Sequence, residues 1–84
     1  MILQDTIGLM TSEDYQERLM AEYWQTKIRH DRLHEIIIKS SADTLGFVPA
    51  CPLELLEIQE ANMWNYLKAL EIRAEIEGID LNDV

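Results

Sequence analysis

The stretch "YWQTKIRH", Tyr23 to His30, sets two aromatic rings beside two cations and a histidine. Aromatic faces stack on planar rings and on cations, and guanidinium and ammonium groups bind phosphate oxygens. Tyr23, Trp24, Lys27 and Arg29 are therefore candidates to hold a small phosphorylated aromatic ligand. The competing reading is structural: Lys27, Arg29 and Arg32 pair with Glu22, Asp31 and Glu35 along a helix surface. A second set, Gln59, Tyr66 and Arg73, recurs every seven residues and so falls close to one helical stripe, interleaved with Met63 and Leu70. Polar groups on an apolar seam are costly unless paired. Either they fix helix register at the core edge, or they line a pocket at a seam between neighbouring hairpins. Trp64, flanked by Asn62 and Asn65, can serve the same purpose on the other side.

Other chemistry is sparse. Cys51 precedes a proline at a helix start, where the helix dipole would favour a thiolate; it reads more simply as a small residue at the helix mouth. His30 and His34 stand four apart, half of a zinc site, but "HDRLH" lacks the glutamate that follows the first histidine of a metalloprotease helix. No metal site is expected. The carboxylates read as a solvated helix surface, without an identifiable acid/base pair. "GFVPACP" lacks the spacing of a phosphate-binding loop. No catalytic residue and no cofactor are expected, and a small nucleotide hydrolase is the weakest of three functional readings.

Composition narrows the partners. The 84 residues carry 16 acidic and 7 basic side chains, a formal net charge of −9. Long-range repulsion argues against a nucleic-acid polymer, yet leaves room for one small anion held by local cations. At 48% hydrophobic the chain is too apolar for disorder. One cysteine allows no internal disulfide and fits a reducing compartment. "MILQDTIGLM" has no basic start and is too short to span a bilayer. The reading is a soluble, intracellular protein without a membrane partner.

The elements that position these residues are two long helices. No glycine or proline occurs from Thr11 to Thr44. A helix is expected over 12–40, capped by Thr11 or Ser12, with the stripe Tyr15, Leu19, Tyr23, Thr26, His30, Leu33, Ile37. A connector follows over 41–51. A second helix, over 52–77, opens at Pro52 as its first residue and ends before Gly78. Its stripe is Leu53, Leu56, Gln59 or Glu60, Met63, Tyr66 or Leu67, Leu70, Arg73 or Ala74, and Ile76. Residues 1–10 form a short arm and 78–84 an acidic tail, pinned by Ile79 and Leu81. In the connector, Phe47 and Val48 are expected to plug the open end of the hairpin; the alternative is a lid over a ligand. The fold class is all-α: one domain, a long antiparallel two-helix hairpin. Apolar residues also fall on the outer faces, Met20, Trp24 and Ile28 on the first helix and Leu55, Ile58, Trp64 and Ile72 on the second. Such stripes point to completion of the core by homo-oligomerisation.

The segments "DYQERLMAEY" at 14–23 and "LHEIIIKSSADTLGFVPACPLELLEIQEANMWNYLKALEIRAEIEGI" at 33–79 resemble a family of small phage and prophage proteins, one catalogued from a crAss-like phage. The shared features are the "YQER" start, "TLGF" with "CP" in the connector, and the spacing of "LLEIQ", Met63, "YL" and "RAEIEG" on the second helix. That family in turn is distantly similar to the helical hairpin of phage anti-defence sponge proteins, which counter CBASS and Thoeris immunity. Here the similarity rests on a proline-opened second helix followed by Tyr66, Leu70, Arg73 and Ala74. It transfers no ligand contacts. It implies a homo-oligomer, often a hexamer, in the host cell cytoplasm. The oligomer would bind a cyclic nucleotide or cyclic ADP-ribose signal without cleaving it. The alternative function is an acidic helical oligomer acting as a protein–protein interaction module.

Overall fold

The computed structural model describes residues 1–83; Val84, the last residue of the expected tail, lies outside them. A single 3-10 turn, Leu3–Thr6, runs into α1, Ile7–Met10. Two long helices follow, α2 (Tyr15–Ser41) and α3 (Leu53–Glu77), packed along each other, with no strand among the described residues. The molecule measures 43 × 25 × 18 Å.

Helix α2 starts later than the expected Ser12, because the two candidate caps are used elsewhere. Thr11 closes α1, its N–H and its hydroxyl both donating to the Ile7 carbonyl. Ser12 Oγ accepts the Asp14 N–H at 3.0 Å, and Asp14 is the cap, accepting the Gln16 N–H at 2.9 Å. A carboxylate there satisfies an orphan donor and faces the positive end of the helix dipole. Pro52 is likewise one place earlier than expected. Its backbone is extended (φ −57°, ψ 144°), so it is the cap residue and Leu53 is the first helical one.

Both helices end in a left-handed residue. Gly78 has φ 69°, and the Ile79 N–H donates back to the Ala74 carbonyl at 2.8 Å. Ile79 then lies against the same core as Ala74, the hydrophobic contact that accompanies this kind of stop. At the end of α2 the left-handed residue is Asp43, φ 59°, with the Thr44 N–H donating to the Lys39 carbonyl at 2.8 Å.

The seam between the helices follows a heptad. On α2 the inward residues are Leu19, Tyr23, Thr26, His30, Leu33 and Ile37; on α3 they are Leu53, Leu56, Glu60, Met63, Leu67, Leu70 and Ala74. All are buried or half-buried, at alternating steps of three and four. The structure thus decides the three positions that periodicity left double: Glu60, Leu67 and Ala74 face α2, while Gln59, Tyr66 and Arg73 are exposed on the flank. The tight core is one-sided. It joins Leu19, Met20 and Tyr23 to Leu67, Leu70, Ala74 and Ile79, with Trp24 and Leu81 against it. This is the end where the tail folds back.

Two expectations are corrected. Phe47 and Val48 do not plug the hairpin: they are 58% and 91% exposed. At that end of the hairpin the seam is made by Ile37, which is buried, and by Leu53 and Leu56, which are half-buried. The outer face of the first long helix is not bare either. The Trp24 indole N–H donates to the Leu81 carbonyl at 2.7 Å, and Gln25 Nε2 donates to the buried Thr6 hydroxyl at 3.0 Å. Tail and arm together cover that side, leaving Met20 buried and Ile28 half-buried. The outer face of α3, by contrast, keeps its apolar residues in the open.

Candidate functional site

The eight residues singled out by type and spacing are not gathered in one place. Arg29, Gln59 and Tyr66 border one groove. Lys27 and Trp64 lie on the other side of the hairpin. Tyr23, Trp24 and Arg73 belong to the end where the tail packs.

The groove has a volume of about 590 Å³ and runs between the middle of α2 and the connector half of α3. Thr26 and Arg29 form its α2 side; Leu55, Ile58, Gln59, Asn62, Met63 and Tyr66 form its α3 side. Its size falls within the range of small-molecule sites, and its make-up is apolar walls with a few polar groups, as such sites usually show. Its charge is unusual for this chain. In a molecule of net charge −9 the lining contains one cation and no carboxylate. The Arg29 Nε–H donates to the Gln25 carbonyl at 3.2 Å, which steadies the stem. Among the described residues its guanidinium meets no carboxylate, so its terminal N–H groups remain available for an anion. Asn62, grouped with Trp64 in the sequence, lines this groove instead, and together with Thr26 it adds polar donors and acceptors. The signal for Asn62 was visible as its position three after Gln59 and four before Tyr66, the same helix face.

The opposite side offers rings and cations too, but in the hollow there Lys27 and both histidines are engaged. Lys27, His30, Asp31, His34, Glu60 and Trp64 line a hollow of about 430 Å³. Lys27 Nζ lies 3.2 Å from Asp31, the His30 Nδ1–H donates to the same carboxylate at 3.1 Å, and the His34 Nδ1–H donates to Glu60 at 2.9 Å. His30 stacks with His34 at 5.9 Å and lies 5.4 Å from the Trp64 ring. Burial pushes the Asp31 carboxyl up, but hydrogen bonds from His30 and Lys27 outweigh it and hold the group below the usual range. An incoming anion would have to displace two carboxylates. The surface-pairing alternative therefore describes Lys27, and Lys39, which sits 2.7 Å from Glu35; it does not describe Arg29.

At the tail end the aromatics are structural. The buried Tyr23 hydroxyl donates to Glu71 at 3.0 Å, and its ring meets Trp24 edge-on at 5.3 Å. Burial, then the Glu71 carboxylate beside it, pushes the phenol up to about 12. The hollow beside it is lined by Glu71, Glu75 and Asp80, a poor place for phosphate. Arg73 is tied to the Tyr15 hydroxyl and to Glu77, and its guanidinium lies 5.7 Å from the centre of the Tyr15 ring. No group of three His, Cys, Asp or Glu among the described residues is placed to hold a metal, and no helix is long and apolar enough to cross a membrane.

The hairpin that carries this groove matches one known family model over residues 13–76, from the α2 cap to the last turn of α3, more than half of the chain. The chain belongs to the Sequestin family. The Sequestin match takes in both walls of the groove and leaves out the arm and the tail. The name Sequestin suggests sequestration, which fits a cleft for a small molecule. No curated protein matches the chain, and no solved structure does either.

Proposed function

We propose that this protein is a sponge: it binds a cyclic nucleotide or cyclic ADP-ribose immune signal in the groove between α2 and α3 and sequesters it without cleaving it, depriving a host effector of its activator. The observation that carries the reading is the free Arg29 guanidinium in an apolar groove without a carboxylate, on a chain otherwise dominated by acid. Arg29 takes the phosphate, the Tyr66 ring stacks on the base, and the amides of Gln59 and Asn62 read its polar edge. The Sequestin membership supports sequestration, and the resemblance to phage sponge proteins supports the class of signal and a setting in the host cytoplasm. The role asks for nanomolar binding, about −12 kcal/mol. Charge-assisted bonds and ring stacking reach such values where water is excluded.

Titration calorimetry against cyclic dinucleotides, cyclic trinucleotides and cyclic ADP-ribose isomers tests this. One class should bind at nanomolar strength, with the ligand recovered intact after denaturation. Arg29→Ala should weaken it at least a hundredfold and leave helical circular dichroism unchanged, because Arg29 is exposed. Silence across the whole panel overturns the reading, and a cleaved ligand would make the protein an enzyme.

A further inference from the structure

Helix α3 carries a second heptad stripe on the face turned away from α2. Leu55, Ile58, Asn62, Asn65, Ala69, Ile72 and Ile76 follow one another at steps of three and four, as the inner seam does. All seven are exposed, Leu55 at 53%, Ile58 at 58%, Ile72 at 51% and Ile76 at 78%. None is charged, although α3 carries six glutamates along its 25 residues. Arm and tail cover the outer side of α2, whereas this face of α3 has no cover among the described residues. A heptad of aliphatic residues with amides at its centre is what a helix presents to another helix, the amides setting register.

We infer that a second copy of this chain seats on this stripe, with the two α3 helices antiparallel about a twofold axis near Asn65. The stripe is close to a palindrome. Antiparallel pairing sets Leu55 opposite Ile76, Ile58 opposite Ile72, Asn62 opposite Ala69, and Asn65 opposite its own copy. Apolar residues meet apolar residues at both ends, the two Asn65 amides meet on the axis, and Asn62 meets the small Ala69, the near self-complementarity that a twofold interface needs. Antiparallel helices also oppose their dipoles. Parallel pairing would instead bring Lys68 against Arg73 of the second copy, the two cations of α3. The antiparallel cost, Glu54 facing Glu75 of the second copy, falls at the exposed ends, where solvent and salt screen it.

This inference deepens the sponge reading and rests on it for its functional part. Leu55, Ile58 and Asn62 belong to both the stripe and the groove. The second copy therefore roofs the groove, and its Arg73 comes alongside Gln59 at the groove's edge. Each hairpin alone offers half a site; the pair encloses it and adds a second cation.

Sedimentation of the full chain at micromolar concentration tests the interface without any ligand. The wild type should sediment as a dimer or a multiple of it, more tightly associated at higher salt. Ile72→Glu, outside the groove lining, should sediment as a monomer with its helical circular dichroism retained. In a Cys51→Ser background, oxidised Asn65→Cys should form a covalent dimer and Ile76→Cys should not; a covalent Ile76→Cys dimer, which parallel in-register pairing would give, overturns the antiparallel arrangement. A monomeric wild type, or an Ile72→Glu variant that stays associated, overturns the interface. For the roof, a cyclic dinucleotide or cyclic ADP-ribose that binds the wild type should bind monomeric Ile72→Glu at least tenfold more weakly. Unchanged affinity removes the second copy from the site and leaves sequestration standing; a wild-type dimer that binds nothing removes sequestration and leaves the interface standing.

Discussion

Arg29 and Arg73 are both arginines on exposed helix faces, and the structure gives them different work. Arg73 is held by Tyr15 and Glu77 at the tail end, while Arg29 is tied only to a backbone carbonyl and keeps its fork open toward the groove. Residue type and spacing could not separate them, because the separation depends on which carboxylates the opposite helix brings near. Tyr23 makes the same point for the aromatics. It looked like a stacking platform and is instead a buried donor to Glu71. Its phenol, raised to about 12 in the folded chain, titrates near 10 when unfolded. A raised acid favours folding while it is protonated, so this contribution is whole below about pH 10 and is lost as pH climbs toward 12. Denaturant melts of the wild type should lose stability across that window more steeply than those of Tyr23→Phe, which has no phenol to ionise. Equal slopes would show that Tyr23 is not protected by its burial.

At the scale of the elements, the two long helices and their ends were largely legible from the sequence. Absence of glycine and proline, the heptad and Gly78 set both lengths to within a few residues. What shifted was the start of α2, because Thr11 closes a short helix that the ambiguous arm did not announce. The end of α2 offers a comparison with the end of α3. Both use a left-handed residue, but Asp43 carries a side chain there and Gly78 does not. That conformation costs a residue with a Cβ about 1–2 kcal/mol, less for aspartate. Asp43→Gly should therefore stabilise the protein by roughly 0.5–1 kcal/mol. Gly78→Ala should cost about 1 kcal/mol from backbone strain alone, since nothing lies within 4 Å of the added methyl. Thermal melts of the two variants should move in opposite directions.

For the molecule as a whole, packing is uneven, and this is where mutational cost should divide. Leu70, 1% exposed in the tight core, should cost about 2–5 kcal/mol as Leu70→Ala. That is a large part of the stability of a domain this size. Phe47→Ala should change ligand-free stability by less than about 0.5 kcal/mol, because Phe47 stands in solvent. A large loss at Phe47 would restore the plug. Helix content, the hairpin and an apolar face in excess of what one hairpin can bury all follow from composition and periodicity, which are local properties of the chain. Three things waited for the tertiary structure: whether Glu60 or Gln59, Leu67 or Tyr66, Ala74 or Arg73 turns inward, which cation without a carboxylate partner borders the groove, and which outer face stays bare. A step of one residue rotates a side chain by about 100°, and a stripe read at 3.6 residues per turn cannot resolve neighbours that straddle its edge. Only the docking of α3 on α2, with the tail closed over Trp24, settles that angle, and with it the position of the groove.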